Sequence, residues 1–351
     1  MTIIVSYQQK NYIFLVGDLL LSGLEHEDQI QLPTRFNSNQ PVPPRHLTGL
    51  CQKLVCVNDN LAVAWAGSKI VAQHLIRRIA NELSAPFSSE EILSLIYGSG
   101  LSDGELDSVS FIFYGAYRDE KTGDIHQFVQ DYLTGETIID KSSKVKYSGS
   151  GQFHFLECMD FQIRGSTGTV TEYEGCIAWL MSRMALALFK EMISEDTHIF
   201  SYGGGFEIVC LDPTARIAKI PTTFVFWRFD GTTLELVGPV LSFNYPDPNI
   251  LLINRLIQLQ GSSKWDLSQF VVNDLLGAPT LDPDQEEPNF DTFFAVHYLL
   301  PTTDSESIQI LIKKGSDKSV KLRFASGSGT LQVDVNDQFR HEVEMTTKRV
   351  S

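Results

Sequence analysis

Two pairs of short apolar runs, each interrupted by a polar turn, constrain the fold of this 351-residue chain more than any other feature. The first pair, residues 3–5 and 12–16 around the polar residues 8–11, is typical of a β-hairpin. If the hairpin is centred near residues 9 and 10, Thr2 lies roughly opposite Gly17 and Asp18. A carboxylate then stands beside a threonine that directly follows Met1. The alternative is that Asp18 merely ends a strand, as Asp often does.

The second pair is residues 53–57 and 61–67, joined by a turn at 58–60. Folding this segment about Asp59 places Lys53 next to Trp65 and close to Gly67. Ser68 is a good N-cap, and apolar residues follow at helical spacing over 71–83. The Gly67 N–H then points from a helix N-terminus, where an oxyanion is stabilised. The alternatives are a solvated strand-edge lysine at position 53 and ordinary strand-to-helix turn chemistry at Gly67.

Thr2 acquires a specific chemistry if Met1 is removed. Its free α-amino group would then lie beside its own hydroxyl, so that one residue supplies both a nucleophile and a general base. An α-amino group titrates near pH 8 and can be neutral at cellular pH. A buried ammonium from Lys53 near Thr2 would lower the pKa of the hydroxyl or amine beside it.

These features resemble the start of a mature proteasome β-subunit, or of the related bacterial ATP-dependent ring peptidase. That family has an N-terminal Thr, a hairpin and an Asp at this spacing, then a Lys before a hairpin that ends in Ala-Gly. Its third landmark corresponds to Gly149-Ser150-Gly151 at the start of a helix. The resemblance covers about residues 2–245, with insertions. It implies an N-terminal-nucleophile (Ntn) hydrolase in which Thr2 attacks, Asp18 and Lys53 tune the electrostatics, Gly67 binds the oxyanion and Ser150 steadies the amine.

The sequence also departs from the family in two places. Where proteasome β-subunits carry Asp-x-x-Ser-Gly-Gly, this chain has Phe200 in place of the Asp and Gly203 in place of the Ser. The connection from Asp18 to Lys53 is longer, with a Pro-rich loop at about 24–48 that could narrow, cover or block the site. Two functions therefore remain open. One is a threonine hydrolase of peptide or other amide bonds; the other is an inactive proteasome-fold scaffold or interaction protein.

The order of elements predicts an α+β fold, and the resemblance implies a four-layer αββα sandwich with an extra C-terminal β-rich segment. We expect a domain over 1–245, a helical segment (249–276) and acidic linker over 246–290, and a small β-rich addition over 291–351. Capping boxes at 88–91 and 171–174 predict helix starts. The Met-bearing apolar face of the second of these helices is predicted to be core.

Composition excludes several classes of function. A net charge of −15 argues against binding to nucleic acids and anionic membranes. The chain has no membrane-spanning apolar run, and its N-terminus makes a poor signal peptide, so a cytoplasmic protein is expected. Five scattered cysteines are consistent with buried free thiols. We expect no metal, no cofactor and no ATPase motif. The resemblance implies a peptide or amide substrate, a homo-oligomer that could be a ring, and a separate ATPase or regulator.

Overall fold

The computed structural model of the protein describes residues 2–9, 11–22, 32–34, 47–83, 87–97, 111–119, 122–131, 136–139, 145–149, 172–193, 203–212, 217–277, 281–283, 286–300 and 309–348. Helices and strands are mixed and strands predominate, which agrees with the predicted α+β class. Within these ranges, none of the helices combines the length and the apolar character that crossing a bilayer requires.

The elements are numbered in chain order. The strands are β1 (Ile4–Gln9), β2 (Tyr12–Asp18), β3 (Leu20–Ser22), β4 (Leu47–Leu50), β5 (Leu54–Asn58), β6 (Leu61–Gly67), β7 (Phe111–Arg118), β8 (Ile125–Asp131), β9 (Glu136–Ile139), β10 (Val145–Ser148), β11 (Phe206–Leu211), β12 (Ala218–Lys219), β13 (Thr222–Phe229), β14 (Leu234–Asp247), β15 (Ile250–Gln258), β16 (Trp265–Asn273), β17 (Phe294–Leu300), β18 (Gln309–Lys314), β19 (Val320–Ala325) and β20 (Thr330–Val335). The helices are α1 (Lys69–Glu82), α2 (Ser89–Tyr97), α3 (Glu172–Ile193) and α4 (Asp337–Lys348).

The first sheet has five antiparallel strands in the order β10-β1-β2-β11-β12. The predicted N-terminal hairpin is confirmed, but its register differs slightly, since Ile4 pairs with Gly17 and Gln9 with Tyr12. The centre of the hairpin therefore lies one residue later than predicted, as a two-residue connection requires. Asp18 consequently lies beside Ile3 rather than Thr2, and its N–H donates to the Ile3 carbonyl at 3.2 Å.

The second sheet also has five antiparallel strands, in the order β5-β6-β7-β8-β9. The predicted hairpin at 53–67 is confirmed, because the Trp65 N–H donates to the Lys53 carbonyl at 3.1 Å. The two sheets share an apolar interface that includes Ile4, Leu15 and Ala64. The hairpin that carries Lys53 is thereby packed against the hairpin that begins at Thr2.

Helices cover the outer faces of both sheets. The N-cap Ser68 accepts a hydrogen bond from the Val71 N–H, as predicted for α1. Ser88 and Glu91 form the predicted capping box at the start of α2. Helix α1 packs on the second sheet, and α3 packs on the first through the buried Met-bearing face that was predicted to be core.

A third sheet of six strands has the order β16-β15-β14-β13-β17-β18. The prediction of a helix over 249–276 is wrong, because this segment forms β15 and β16. Seven consecutive buried residues begin β15, and their apolar members, 250–253 and 256, fit a central strand as well as a helix. Strand β13 pairs in parallel with β17, so the sheet takes strands from both sides of the predicted boundaries at 245 and 290.

The third sheet packs on both of its faces. One face covers α3, and the Tyr298 hydroxyl on that face donates to the Ala185 carbonyl at 2.7 Å. The other face packs against the β19–β20 hairpin and α4. The predicted β-rich addition over 291–351 contains strands, but its last part differs from that expectation, since 337–348 is helical. The physical reason is a local cap, in which Asn336 Oδ1 accepts the Phe339 N–H at 2.8 Å and starts the helix.

Candidate active site

Asp18 is the residue around which the candidate site is organised. It ends β2 and is fully buried. One carboxylate oxygen, Oδ1, accepts the Ile3 N–H at 2.9 Å and the Lys53 ammonium at 2.7 Å. The other oxygen, Oδ2, accepts the Gly203 N–H at 3.1 Å. The carboxylate thus joins the residue next to Thr2, the lysine of the second hairpin and a glycine-rich loop.

Lys53 is completely buried, so the alternative of a solvated strand-edge lysine is wrong. Its Nζ also donates to the Leu20 carbonyl at 2.6 Å. Burial lowers the pKa of Lys53 below its ordinary value, while the charge and hydrogen bond of Asp18 oppose that shift. Close packing fixes the stem of the side chain, because a Cβ at Gly17 would stand 3.2 Å from the Lys53 Cβ.

Thr2 lies two residues before the start of β1 and is only 7% exposed. Its backbone is approached closely by Gly149, at the end of β10. Gly149 has a φ of 104°, and a Cβ added there would stand 2.1 Å from the Thr2 carbonyl oxygen. Only glycine permits both the backbone angle and this approach. Ser150, the next residue and the predicted support for the amine, lies outside the residues that the structure describes.

The glycine loop, Gly203–Gly205, supplies a part of the site that the sequence reasoning did not assign. Besides the bond from Gly203 to Asp18, the Gly204 N–H donates to Glu191 Oε1 at 2.7 Å. Glu191 belongs to the last turn of α3 and is 5% exposed. A Cβ at Gly203 would stand 2.5 Å from Glu191 Oε1. This contact leaves no room for a side chain at position 203. Three successive glycines were the only sequence signal for this loop.

Two described parts of the Pro-rich insertion are fixed to the rest of the protein. Residues 47–50 pair with 20–22 as the short β3–β4 sheet. The Thr34 hydroxyl donates to Glu191 Oε1 at 2.5 Å, and the Leu32 carbonyl accepts from Arg255 of β15 at 3.0 Å. The insertion is therefore anchored at 32–34 to α3 and to the six-stranded sheet.

Gly67 ends β6, is exposed and has a φ of 104°. It stands directly before the cap of α1, as predicted, and pairs with Phe111 of β7. Its role as an oxyanion donor stays a prediction. Phe200, the departure noted above, lies outside the described residues.

A second buried ion pair lies close to the first. Glu207 of β11 is next to Phe206, which pairs with Asp18, and Lys219 Nζ lies 3.3 Å from Glu207 Oε2. Glu207 Oε1 accepts the Leu54 N–H at 2.7 Å, and Lys219 also donates to the Gln52 side chain. Burial raises the pKa of Glu207, while the charge of Lys219 lowers it. The residues on both sides of Lys53 are thus held by a second charged network.

The described residues offer neither a metal-binding cluster nor a disulfide. In the ranges that the structure describes, no group of three or more His, Cys, Asp or Glu side chains could bind a metal ion. Cys51, Cys56, Cys176 and Cys210 are free thiols, and Cys158 lies outside the described residues.

No protein-family model matches the chain, and no curated protein matches it. Among solved structures the chain is similar to eukaryotic HslV from Trypanosoma brucei, with 14% identity over 60% of this chain and 99% of that chain, at a TM-score of 0.34. A superposition at that TM-score supports no inference about fold or function. The proposal that follows therefore depends on the residues of this chain.

Proposed function

We propose that this protein is an Ntn-type threonine hydrolase of peptide or other amide bonds, with Thr2 as the nucleophile after removal of Met1. The observation that carries the proposal is the bridging of the Ile3 N–H and the Lys53 ammonium by one oxygen of buried Asp18. A buried lysine and a buried carboxylate are costly unless they are paired. Asp18 is bonded to the residue next to Thr2, and Thr2 would supply both nucleophile and base once Met1 is removed, so the costly pair has a chemical use there.

In the proposed reaction, Thr2 supplies both the nucleophile and the group that accepts and returns the proton. Its Oγ forms a bond to the carbonyl carbon of the substrate, while the hydroxyl proton moves to the neutral α-amine. The oxyanion that develops is stabilised by the Gly67 N–H and by the positive charge of Lys53. Collapse breaks the C–N bond, and the leaving amine takes the proton from the α-ammonium. Water, deprotonated by the same amine, then hydrolyses the ester and regenerates Thr2.

The remaining expectations belong to the same proposal. We also propose the four-layer αββα sandwich that the resemblance implies; the two five-stranded sheets and the helices that pack on them support it. We further propose a cytoplasmic homo-oligomer, in the form of a ring, that works with a separate ATPase or regulator. Light scattering of the purified protein tests the assembly, and a monomeric mass would contradict it.

The decisive experiment is labelling with a peptide epoxyketone, which reacts with both the hydroxyl and the α-amine of an N-terminal Thr. Intact-mass analysis of protein from its own cell first shows whether Met1 is absent. We expect one covalent adduct on the N-terminal peptide, abolished by Thr2→Ala and retained at a lower rate by Thr2→Ser. Ser6→Ala is the matched control, because Ser6 carries a buried hydroxyl nearby in β1, bonded to Gln127. A Thr2→Ala variant that still forms the adduct would rule out the mechanism.

The second candidate is an inactive scaffold, and one observation favours it. Thr2 is 7% exposed, and Gly149 packs directly on its backbone. A retained Met1 together with absent labelling would establish this alternative.

A further inference from the structure

A cavity of about 400 Å³ lies between the six-stranded sheet and the β19–β20 hairpin. Its floor is formed by Thr223 and Val225 of β13 and by Ala295 and His297 of β17, which pair side by side. Its walls come from residues 290–291 and from the segment that enters β19. The volume falls in the range of about 300–1,000 Å³ that is usual for small-molecule sites.

His297 is 1% exposed and offers one defined hydrogen-bond donor. Its Nδ1 accepts the indole N–H of Trp227 at 3.0 Å, so the neutral ring carries its proton on Nε2. Burial, together with the charge of Lys313, lowers the pKa of His297 to about 3, so the ring is neutral at pH 7. Within the described part of the chain, Nε2 has no hydrogen-bond acceptor. Nε2 is not among the fully buried polar atoms that lack a partner, so its N–H is accessible at the cavity and a bound acceptor group would take it.

The rim of the cavity is positively charged although the chain as a whole carries a net charge of −15. The rim cations are Lys318, Lys321 and Arg323, and Asp291 is the one carboxylate in the lining. Among the described residues, Lys318 and Lys321 form no ion pair. Arg323 lies 3.9 Å from Asp334, but both side chains are exposed and such a pair is weak. The local charge therefore favours an anion.

We propose that this cavity binds a small organic anion, a carboxylate carried on an apolar body. The carboxylate accepts the His297 Nε2–H and lies near the rim cations. The hydrocarbon part lies against the apolar side chains of the lining, such as Val225, Phe290 and Leu322. Inorganic phosphate would leave those side chains without contact. The site lies in the C-terminal sheet and does not depend on the chemistry proposed for Thr2.

Three probes test the charge and the apolar body separately on the full-length protein. 2-Naphthoate carries both features, 2-naphthamide has the same shape without the charge, and inorganic phosphate has only the charge. Binding is followed by ligand-observed NMR, and the ring nitrogens of His297 are followed in protein labelled with ¹⁵N-histidine. We expect 2-naphthoate to bind with a Kd of about 1 mM or tighter, which is ordinary for a ligand of this size. We expect the amide and phosphate to bind at least about tenfold more weakly, and only 2-naphthoate to shift Nε2.

Replacing the rim cations together (K318Q/K321Q/R323Q) should weaken 2-naphthoate at least about tenfold and leave the weak amide binding unchanged. These residues are exposed, so the variant should fold. His297→Phe should also weaken the binding of 2-naphthoate. If this buried substitution prevents folding, the rim variant alone tests the proposal.

The matched control removes three exposed cations elsewhere in the chain (K69Q/K264Q/K348Q) and should change the Kd by less than about twofold. Equal binding of the amide and the carboxylate would overturn the proposal. It would also be overturned by equal weakening in the control variant, or by no binding of 2-naphthoate at about 10 mM.

Discussion

Replacing Asp18 with Asn should destabilise the protein in a way that depends on pH. The change leaves the fully buried Lys53 ammonium with the Leu20 carbonyl but without its counter-ion. Removing one partner of a buried ion pair costs about 3–5 kcal/mol. The Leu20 carbonyl, 2.6 Å from Nζ, moves the loss toward the lower end of that range. Asn also presents an NH₂ toward the Ile3 or Gly203 N–H, and one unsatisfied donor adds about 1–3 kcal/mol. We expect a loss of about 4 kcal/mol at pH 7.

The pH dependence follows from Lys53. Burial already lowers the pKa of Lys53, and Asp18 opposes that shift, so removing Asp18 lowers the pKa further. A group whose pKa is lower in the folded protein than in the unfolded one contributes its full stability above its unfolded pKa, which is near 10.4 for lysine. That contribution is lost as the pH falls through the group's pKa in the folded protein. The deficit of Asp18→Asn should therefore be largest at neutral pH and shrink as the pH rises toward 10.

Urea unfolding, followed by tryptophan fluorescence from pH 6 to 10, measures this difference. The matched control is Glu207→Gln, which removes the charge from the neighbouring buried pair with Lys219. Both variants should be less stable than the natural protein, but only Asp18→Asn should abolish labelling of Thr2 per folded molecule. A deficit below about 1 kcal/mol, or one that stays constant from pH 6 to 10, would refute this account of Lys53.

The remaining predictions concern the supports of the site. Glu191→Ala loses two hydrogen bonds to a charged acceptor and should cost about 3 kcal/mol in urea unfolding. The Ala variant should also label more slowly because the glycine loop shifts, whereas Glu191→Gln should retain most of the stability and most of the labelling rate. Unchanged labelling in the Ala variant would contradict this. Gly149→Ala places a Cβ against the Thr2 carbonyl oxygen at a positive φ and should lower the free energy of unfolding by about 2–4 kcal/mol. A variant as stable as the natural protein would show that Gly149 does not approach Thr2 closely. Burial raises the pKa of Cys51 to about 11, so iodoacetamide at pH 8 should leave Cys51 unmodified in the native protein but not in urea. Rapid native alkylation of Cys51, seen by peptide mass spectrometry, would contradict this burial.

Local patterns predicted the elements of the site better than its contacts. The hairpins and the start of α1 follow from turn and cap chemistry within a few residues, as at Ser68. The bond from Gly204 to Glu191 could not be predicted, since no local rule relates the end of a helix to a loop 13 residues later. The segment 250–258 was misassigned because its apolar residues, 250–253 and 256–257, fit the spacing of a helix as well as that of a buried strand. The turn at 260–263 was the sequence signal that favoured two strands joined as a hairpin over a single helix.

The C-terminal sheet is expected to be necessary for the candidate site even though every proposed catalytic residue lies before it. Gln52, next to Lys53, donates to the Val272 carbonyl at 2.6 Å and to the Asn249 carbonyl at 2.9 Å. The same sheet also covers α3, whose last turn holds Glu191.

A chain truncated at the predicted boundary, residues 1–245, would lose β15–β18 and expose the apolar face that they bury. We expect it to be insoluble or to lack near-ultraviolet circular dichroism, and to fail to label at Thr2. A folded 1–245 fragment that labels at the rate of the full chain would show instead that the first two sheets form an independent enzyme. The hydrogen bonds of Gln52 argue against that outcome, because this neighbour of Lys53 is bonded to Asn249 and Val272, and the truncation removes both residues.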